Sequence, residues 1–236
     1  MMMRSMSECG ELEHEDSFAA ELLGSLSAYI RKPGFKRLFN QIVTEQANTG
    51  FESLCVISQF SGEGKSFLVS ALALAYTKFL QSRVLIVETI QQTTARSLYL
   101  ESVLGEHLPE LSALHGGSEP GYIDLLTTSG SEEGTFDTAD FHIGEYIANV
   151  KSRYDVVLVD TCALGDSDEN NLDPFIVARH SDRALLLFSP ISAGLVEIQE
   201  SKKELERCGV SLLGAVYNRS VAPRRRQANA FKRLAA

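Results

Sequence analysis

A lysine and a serine at the end of a glycine-containing loop are the residues here best suited to chemistry. The segment Leu54-Cys-Val-Ile-Ser-Gln-Phe-Ser-Gly-Glu-Gly-Lys-Ser66 passes from an apolar run through a loop into an apolar helical pattern. Strand, loop and helix in that register are what a phosphate-cradling loop requires. Gly62 and Gly64 let the backbone turn tightly, so that amides from Ser61, Gly62, Glu63 and Gly64 through Lys65, Ser66 and Phe67 converge on one concavity. The helix starting near Lys65 adds the positive end of its dipole. Lys65 would reach the β- and γ-phosphates of a nucleotide, and the Ser66 hydroxyl would ligate Mg²⁺. The pattern G-x-x-x-x-G-K-[ST] is incomplete, because its first glycine falls on Gln59. The plain alternative is a strand-to-helix turn with a surface lysine. The register of strand, G-x-G-K-S and helix favours phosphate, so ATP with Mg²⁺ is the expected ligand.

Three further residues sit where buried strands should end. Asp160 closes Tyr154-Asp-Val-Val-Leu-Val-Asp160, well placed to hold Mg²⁺ through water, although an aspartate there can also be a simple cap. Beside the loop, the metal role is the favoured reading. Glu88 ends Val84–Val87 and reads equally well as a group that polarises water or assists Mg²⁺, or as a solvated strand terminus. Asn218 follows the last strand and suits either a hydrogen bond to a purine edge or an ordinary turn.

The elements that must position these groups are visible as periodicities. Short, β-branched apolar runs occur at Leu54–Ser58, Val84–Glu88, Asp155–Asp160, Ala184–Phe188 and Leu212–Tyr217, the pattern of strands buried on both faces. Helical patterns intervene at Ser66–Leu80, at about 141–152, and at Leu195–Cys208, which Gly209 ends. Such alternation predicts an α/β fold, an open and mostly parallel sheet with helices on both faces. Phe18, Leu22, Leu23, Leu26 and Ile30 predict a first helix stopped by Pro33-Gly34; Phe35, Leu38, Ile42 and Val43 suggest a second. Between Thr89 and Asp140 the pattern weakens, and helices with mobile loops over the strand ends are expected. The domain reading is a disordered start over 1–16, N-terminal helices over 17–50, a P-loop nucleotide-binding domain over 51–220, and a basic tail over 221–236.

Composition sets the outer limits. The apolar and charged fractions, 44% and 22% of 236 residues, are those of an ordinary globular protein. A net charge of −9 argues against a general nucleic-acid binder. Arg224, Arg225, Arg226, Lys232 and Arg233 occupy a stretch without acidic residues, so the rest of the chain carries −14. That stretch reads as a solvated end or as a docking element for an acidic partner or anionic lipid. Cys9, Cys55, Cys162 and Cys208 form no C-x-x-C pair, so neither a disulfide framework nor a zinc site is supported, and Cys55 reads as a core residue. The acidic stretch over 8–21 excludes a signal peptide, and Phe67–Phe79 is too interrupted to span a bilayer. A cytoplasmic setting follows as the expectation.

Taken in order, Ser-Gly-Glu-Gly-Lys-Ser66, Val-Leu-Ile-Val-Glu88, Tyr-Asp-Val-Val-Leu-Val-Asp160-Thr, and Gly-Val-Ser-Leu-Leu-Gly-Ala-Val-Tyr-Asn218 resemble the cytoplasmic domain of bacterial tyrosine kinases. The resemblance covers roughly Phe35 to Ser220, and Pro120-Gly-Tyr-Ile-Asp-Leu-Leu126 is similar to a short Gly-Leu-x-Asp-x-Leu segment of that family. It implies a P-loop NTPase in capsule or exopolysaccharide assembly, with a polysaccharide co-polymerase of the inner membrane as partner and a peripheral location through that partner. It also implies that Gly62–Ser66 bind phosphates, that Ser66 and Asp160 hold Mg²⁺, that Lys65, Asp160 and Glu88 carry any catalysis, and that Asn218 meets the base. Partition and septum-positioning ATPases share the fold, but their early loop lysine is replaced here by Phe60.

The departures bear on activity. The family's two aspartates one residue apart, followed by arginine, correspond to Glu88, Ile90 and Gln92, which weakens both metal binding and any base for a tyrosyl proton. Asp-Thr-Pro-Pro becomes Asp160-Thr-Cys-Ala163. A homo-oligomer is implied by the family, yet its ring-forming Glu-x-x-Arg-x-x-Arg aligns with Pro33, Lys36 and Phe39. No tyrosine follows Tyr217, where the family carries its phosphorylated cluster. The expectation is an ATP-binding regulator of polysaccharide assembly or export whose transfer activity is reduced or lost; an active tyrosine kinase is the alternative, a partition-type ATPase the second.

Overall fold

The computed structural model describes residues 23–89, 121–127, 139–166, 172–189 and 195–219. The readings of residues 1–16, of Ile90 and Gln92, and of the basic tail lie outside them. In chain order the elements are α1 (described from 23 to 29), α2 (Pro33–Thr49), β1 (Ser53–Ser58), α3 (Lys65–Leu80), β2 (Val84–Glu88), β3 (Ile123–Thr127), α4 (Ala139–Lys151), β4 (Val156–Asp160), a 3₁₀ turn (Leu164–Asp166), α5 (Pro174–His180), β5 (Arg183–Phe188), α6 (Leu195–Arg207) and β6 (Leu212–Tyr217).

Among the described residues the sheet is six-stranded and wholly parallel, in the order β3-β2-β4-β1-β5-β6. Every residue of β1, β2 and β4 is buried, as their unbroken apolar runs predict for strands covered on both faces. One layer of core joins α1, α2 and α3 through Leu26, Ile30, Phe39, Ile42 and Leu72 to Leu54, Val56 and Leu158. The other joins α4, α5 and α6 through Ile147, Val177 and Leu205 to Cys55, Val157 and Leu186. Cys55 is a fully buried core residue, as expected.

Central α3 is buried nearly all round, and its inward hydroxyls bond back one turn: Ser70 Oγ donates to Ser66 O at 2.8 Å and Thr77 Oγ1 to Ala73 O at 3.0 Å. Pro33 does more than stop the first helix. Its fixed φ and missing N–H suit a first helical position, and it opens α2.

One expectation is corrected. The stretch between Thr89 and Asp140, read as helices and loops, supplies the edge strand β3. Its run Ile123-Asp-Leu-Leu-Thr127 is short and interrupted by Asp124, and flanking Gly/Ser clusters mask the signal. Gly121, just before it, packs where a Cβ would stand 2.5 Å from the carbonyl carbon of Gln81, itself left-handed at φ 56°. Val84 N donates to Tyr122 O at 2.8 Å, so this close approach aligns β3 on β2. Gly121→Ala is therefore expected to lower the urea unfolding midpoint by the equivalent of roughly 1–3 kcal/mol.

The strand starts are tied by two aspartates. Asp182 Oδ2 accepts from Glu52 N (2.8 Å) and Ser53 N (2.9 Å), while Oδ1 takes the Lys151 ammonium. Asp155 accepts the backbone N–H and guanidinium of Arg83. For Asp182, burial works to raise the pKa, but the Lys151 ammonium and the two amides outweigh it and hold the carboxyl below its ordinary value. Hydrogen bonding from Arg83 does the same for Asp155. A depressed carboxyl stabilises the fold above its unfolded pKa, about 3.9, and loses that contribution as pH falls through the lower folded value. Asp182→Asn is accordingly expected to flatten the acid limb of a stability–pH profile measured by urea unfolding, with its largest deficit at neutral pH.

Candidate functional site

The carboxyl ends of β1, β2 and β4 gather the predicted residues. Glu88 and Asp160 are register partners, and Asp160 pairs with Val56 two residues before β1 ends at Ser58. From Ser58 the chain enters the loop 59–64, where Gly62 (φ 80°) and Gly64 (φ 97°) hold the left-handed conformation that bends it back into α3. Leu68 N is the amide that bonds back to Gly64 O, at 2.9 Å. By helix geometry the amides of Lys65, Ser66 and Phe67 point out of the helix end, toward the concavity. Lys65 is 5% exposed, and its ammonium donates to Ser58 Oγ at 2.8 Å, whose hydroxyl donates to Phe60 O at 2.9 Å. The lysine thus lies inside the loop; the surface-lysine alternative is excluded.

The loop is held from outside by contacts the sequence reading missed. The Glu63 side chain is fully buried. Its carboxylate accepts Phe60 N at 3.1 Å, Ser189 N at 3.0 Å and Ser189 Oγ at 3.2 Å. Asn218 Nδ2 donates to the Glu63 carbonyl at 2.9 Å. Gln59 takes Ser201 Oγ of α6 at 2.7 Å on its side chain and Gly165 N at 3.0 Å on its carbonyl. The position that departs from the P-loop pattern is therefore a point of attachment. Ser189 and Asn218 lie directly after strands, so the polar residue following each apolar run is the signal that could have found Ser189.

The remaining predicted residues divide by role. Ser66 and Ser61 are half-buried in the loop and first helical turn. The Phe67 ring meets Tyr29 of α1 edge-on at 5.0 Å, so only its backbone faces the phosphate concavity. Asn218 joins the loop directly, a task distinct from the expected contact with a base. Glu88 is 1% exposed, which overturns the solvated-terminus reading and leaves it beside Asp160. Asp160 is wholly buried, and Thr89 N–H and Oγ1–H both donate to its backbone carbonyl. Burial, then the negative charge of Asp160, pushes the Cys55 thiol up, while the charge of Lys65 works against the rise. Opposite charges from β4 and α3 therefore act across the end of β1.

The oxygen donors at the strand ends are of the kind that suits a hard divalent cation such as Mg²⁺. Ser66, Asp160 and Glu88 offer hard oxygens, and among the described residues no group of His, Cys, Asp and Glu could hold a metal by itself. Mg²⁺ is commonly bound in that way, by one or two protein oxygens with the rest supplied by phosphate and water.

A parallel α/β sheet with this loop between β1 and α3 has the architecture of the P-loop folds. Among solved structures, the fold is shared with the kinase domain of the Escherichia coli tyrosine kinase ETK (TM-score 0.58, 21% identity, 75% of this chain and 71% of that one). It is shared with the chimerical protein CapA2B2 (TM-score 0.60, 20% identity, 82% and 87%). It also matches the septum site-determining protein MinD from Pyrococcus horikoshii, solved with Mg-ADP (TM-score 0.51, 19% identity, 72% and 70%). At about one residue in five identical, these likenesses show the fold. No protein-family model and no curated protein matches the sequence. No helix among the described residues is long and apolar enough to cross a membrane.

Replacing the buried carboxylate tests the brace. Glu63→Gln places an amide N–H₂ against groups that already donate, and is expected to cost about 2–4 kcal/mol in urea unfolding. Ser189→Ala, which keeps the backbone donor, is expected to cost only about 1 kcal/mol.

Proposed function

We propose that this chain binds ATP with Mg²⁺ and regulates polysaccharide assembly or export, with phosphoryl transfer weak or lost. The observation that carries ATP binding is the buried Lys65 ammonium inside a loop whose amides and helix end already face one concavity. Lys65 would exchange Ser58 for the β- and γ-phosphates, a charge-assisted and stronger partner. Ser66 and Asp160 would hold Mg²⁺, which neutralises phosphate charge when bound, and Glu88 would orient its water. Mg-ADP in MinD supports the ligand class.

The regulatory role rests on Ile90 and Gln92, which stand where the kinase family has a second carboxylate and an arginine. The pathway, the inner-membrane partner, oligomerisation and a peripheral location come from the tyrosine-kinase resemblance. An active tyrosine kinase is the second reading, favoured by the burial of Glu88 against Asp160.

Calorimetric titration with Mg-ATP and incubation with labelled ATP separate the two. Lys65→Ala is expected to weaken ATP binding at least roughly tenfold, or about 1.4 kcal/mol, with an unchanged circular dichroism spectrum. The wild type is expected to bind ATP and to gain negligible phosphotyrosine. Absence of ATP binding by the wild type overturns the proposal as a whole; ready phosphotyrosine formation overturns the regulatory reading in favour of the kinase.

A further inference from the structure

On the face remote from α4 to α6, α2 and the edge strand β6 enclose a groove of about 600 Å³. Leu38 and Ile42 of α2, Leu185 of β5, and Leu213 and Val216 of β6 give it an apolar floor. Gly214 deepens it, since a Cβ built there meets nothing within 4 Å. Glu45 places a carboxylate on the α2 side. Among the described residues, β6 has a strand neighbour on one edge only. An apolar trough beside an unpaired strand edge is a surface that proteins ordinarily cover.

The chain itself points to the cover. It leaves β6 at Tyr217, and the Arg219 guanidinium lies over the Tyr217 ring at 5.8 Å, two residues beyond the strand that walls the groove. Residues 220–236 then carry Ala228, Phe231, Leu234 and Ala235 at helical spacing, with basic residues between them and no acidic one. Apolar anchors match the floor, and the positive residues match Glu45 in a chain otherwise strongly negative. A segment tethered this close meets its groove at an effective concentration on the order of millimolar, so even weak affinity fills it.

We propose that residues 220–236 dock in cis in the groove between α2 and β6, with Phe231 and Leu234 on the apolar floor. Because β6 runs directly into Asn218, the docked segment bears on a strand whose end is bonded to the phosphate loop.

Hydrogen exchange on the full chain tests this, with Gly214→Met filling the groove where the fold leaves space, and Phe231→Ser/Leu234→Ser removing the anchors. In the wild type, amides of 228–235 are expected to exchange slowly. Both variants are expected to speed them at least roughly tenfold while leaving β1 and β4 unchanged. The anchor variant should also speed the outward amides of β6. Fast exchange over 228–235 in the wild type, or no change in either variant, overturns the proposal. Protection lost on dilution assigns the groove to a second copy, and protection that appears only with phosphatidylserine vesicles assigns the segment to lipid; either result overturns it.

Discussion

The phosphate loop depends on one buried anion of the protein's own. The buried Glu63 carboxylate is where the amide of Phe60 and both donors of Ser189 converge. A carboxylate with no exposure is tolerable only when hydrogen-bonded, and each of these donors comes from a segment that must stay fixed. The loop, the end of β5 and, through the Glu63 carbonyl, the end of β6 are thereby made one unit. Amides that face phosphate keep their direction because the opposite side of the loop is anchored.

The same economy governs the acidic side of the site. Glu88 and Asp160 end adjacent strands in register, so the separation of their Cα atoms is set by sheet geometry. Burial makes both costly as isolated charges, and it also makes them effective partners for a cation that arrives with its own phosphate oxygens. Lys65, entering from the other strand interval, balances this charge across the end of β1.

Much of this architecture was legible in the sequence. Runs such as Val84–Glu88 and Asp155–Asp160 are long enough, apolar enough and sharply enough bounded to be read as buried strands, and the Gly-Glu-Gly-Lys-Ser segment announces its loop by register. The edge strand at Ile123–Thr127 was not, since five residues interrupted by Asp124 lack the contrast of a central, unbroken apolar run. Position in the sheet, a tertiary property, decides how strong a strand's own signal is. The braces from Ser189 and Ser201 were hidden for a related reason: they lie more than 120 residues from Glu63 and Gln59, and a serine after a strand has many uses.

The bond between Lys65 and Ser58 carries one more consequence. A loop whose cation already has a neutral partner, and whose turns are already set, meets its ligand as a finished surface. Association then requires no reordering of this loop, which favours a rate set by diffusion and by the field at the mouth of the sheet. Heat-capacity change on binding would be small for the same reason, since little apolar surface remains to be buried when the ligand arrives.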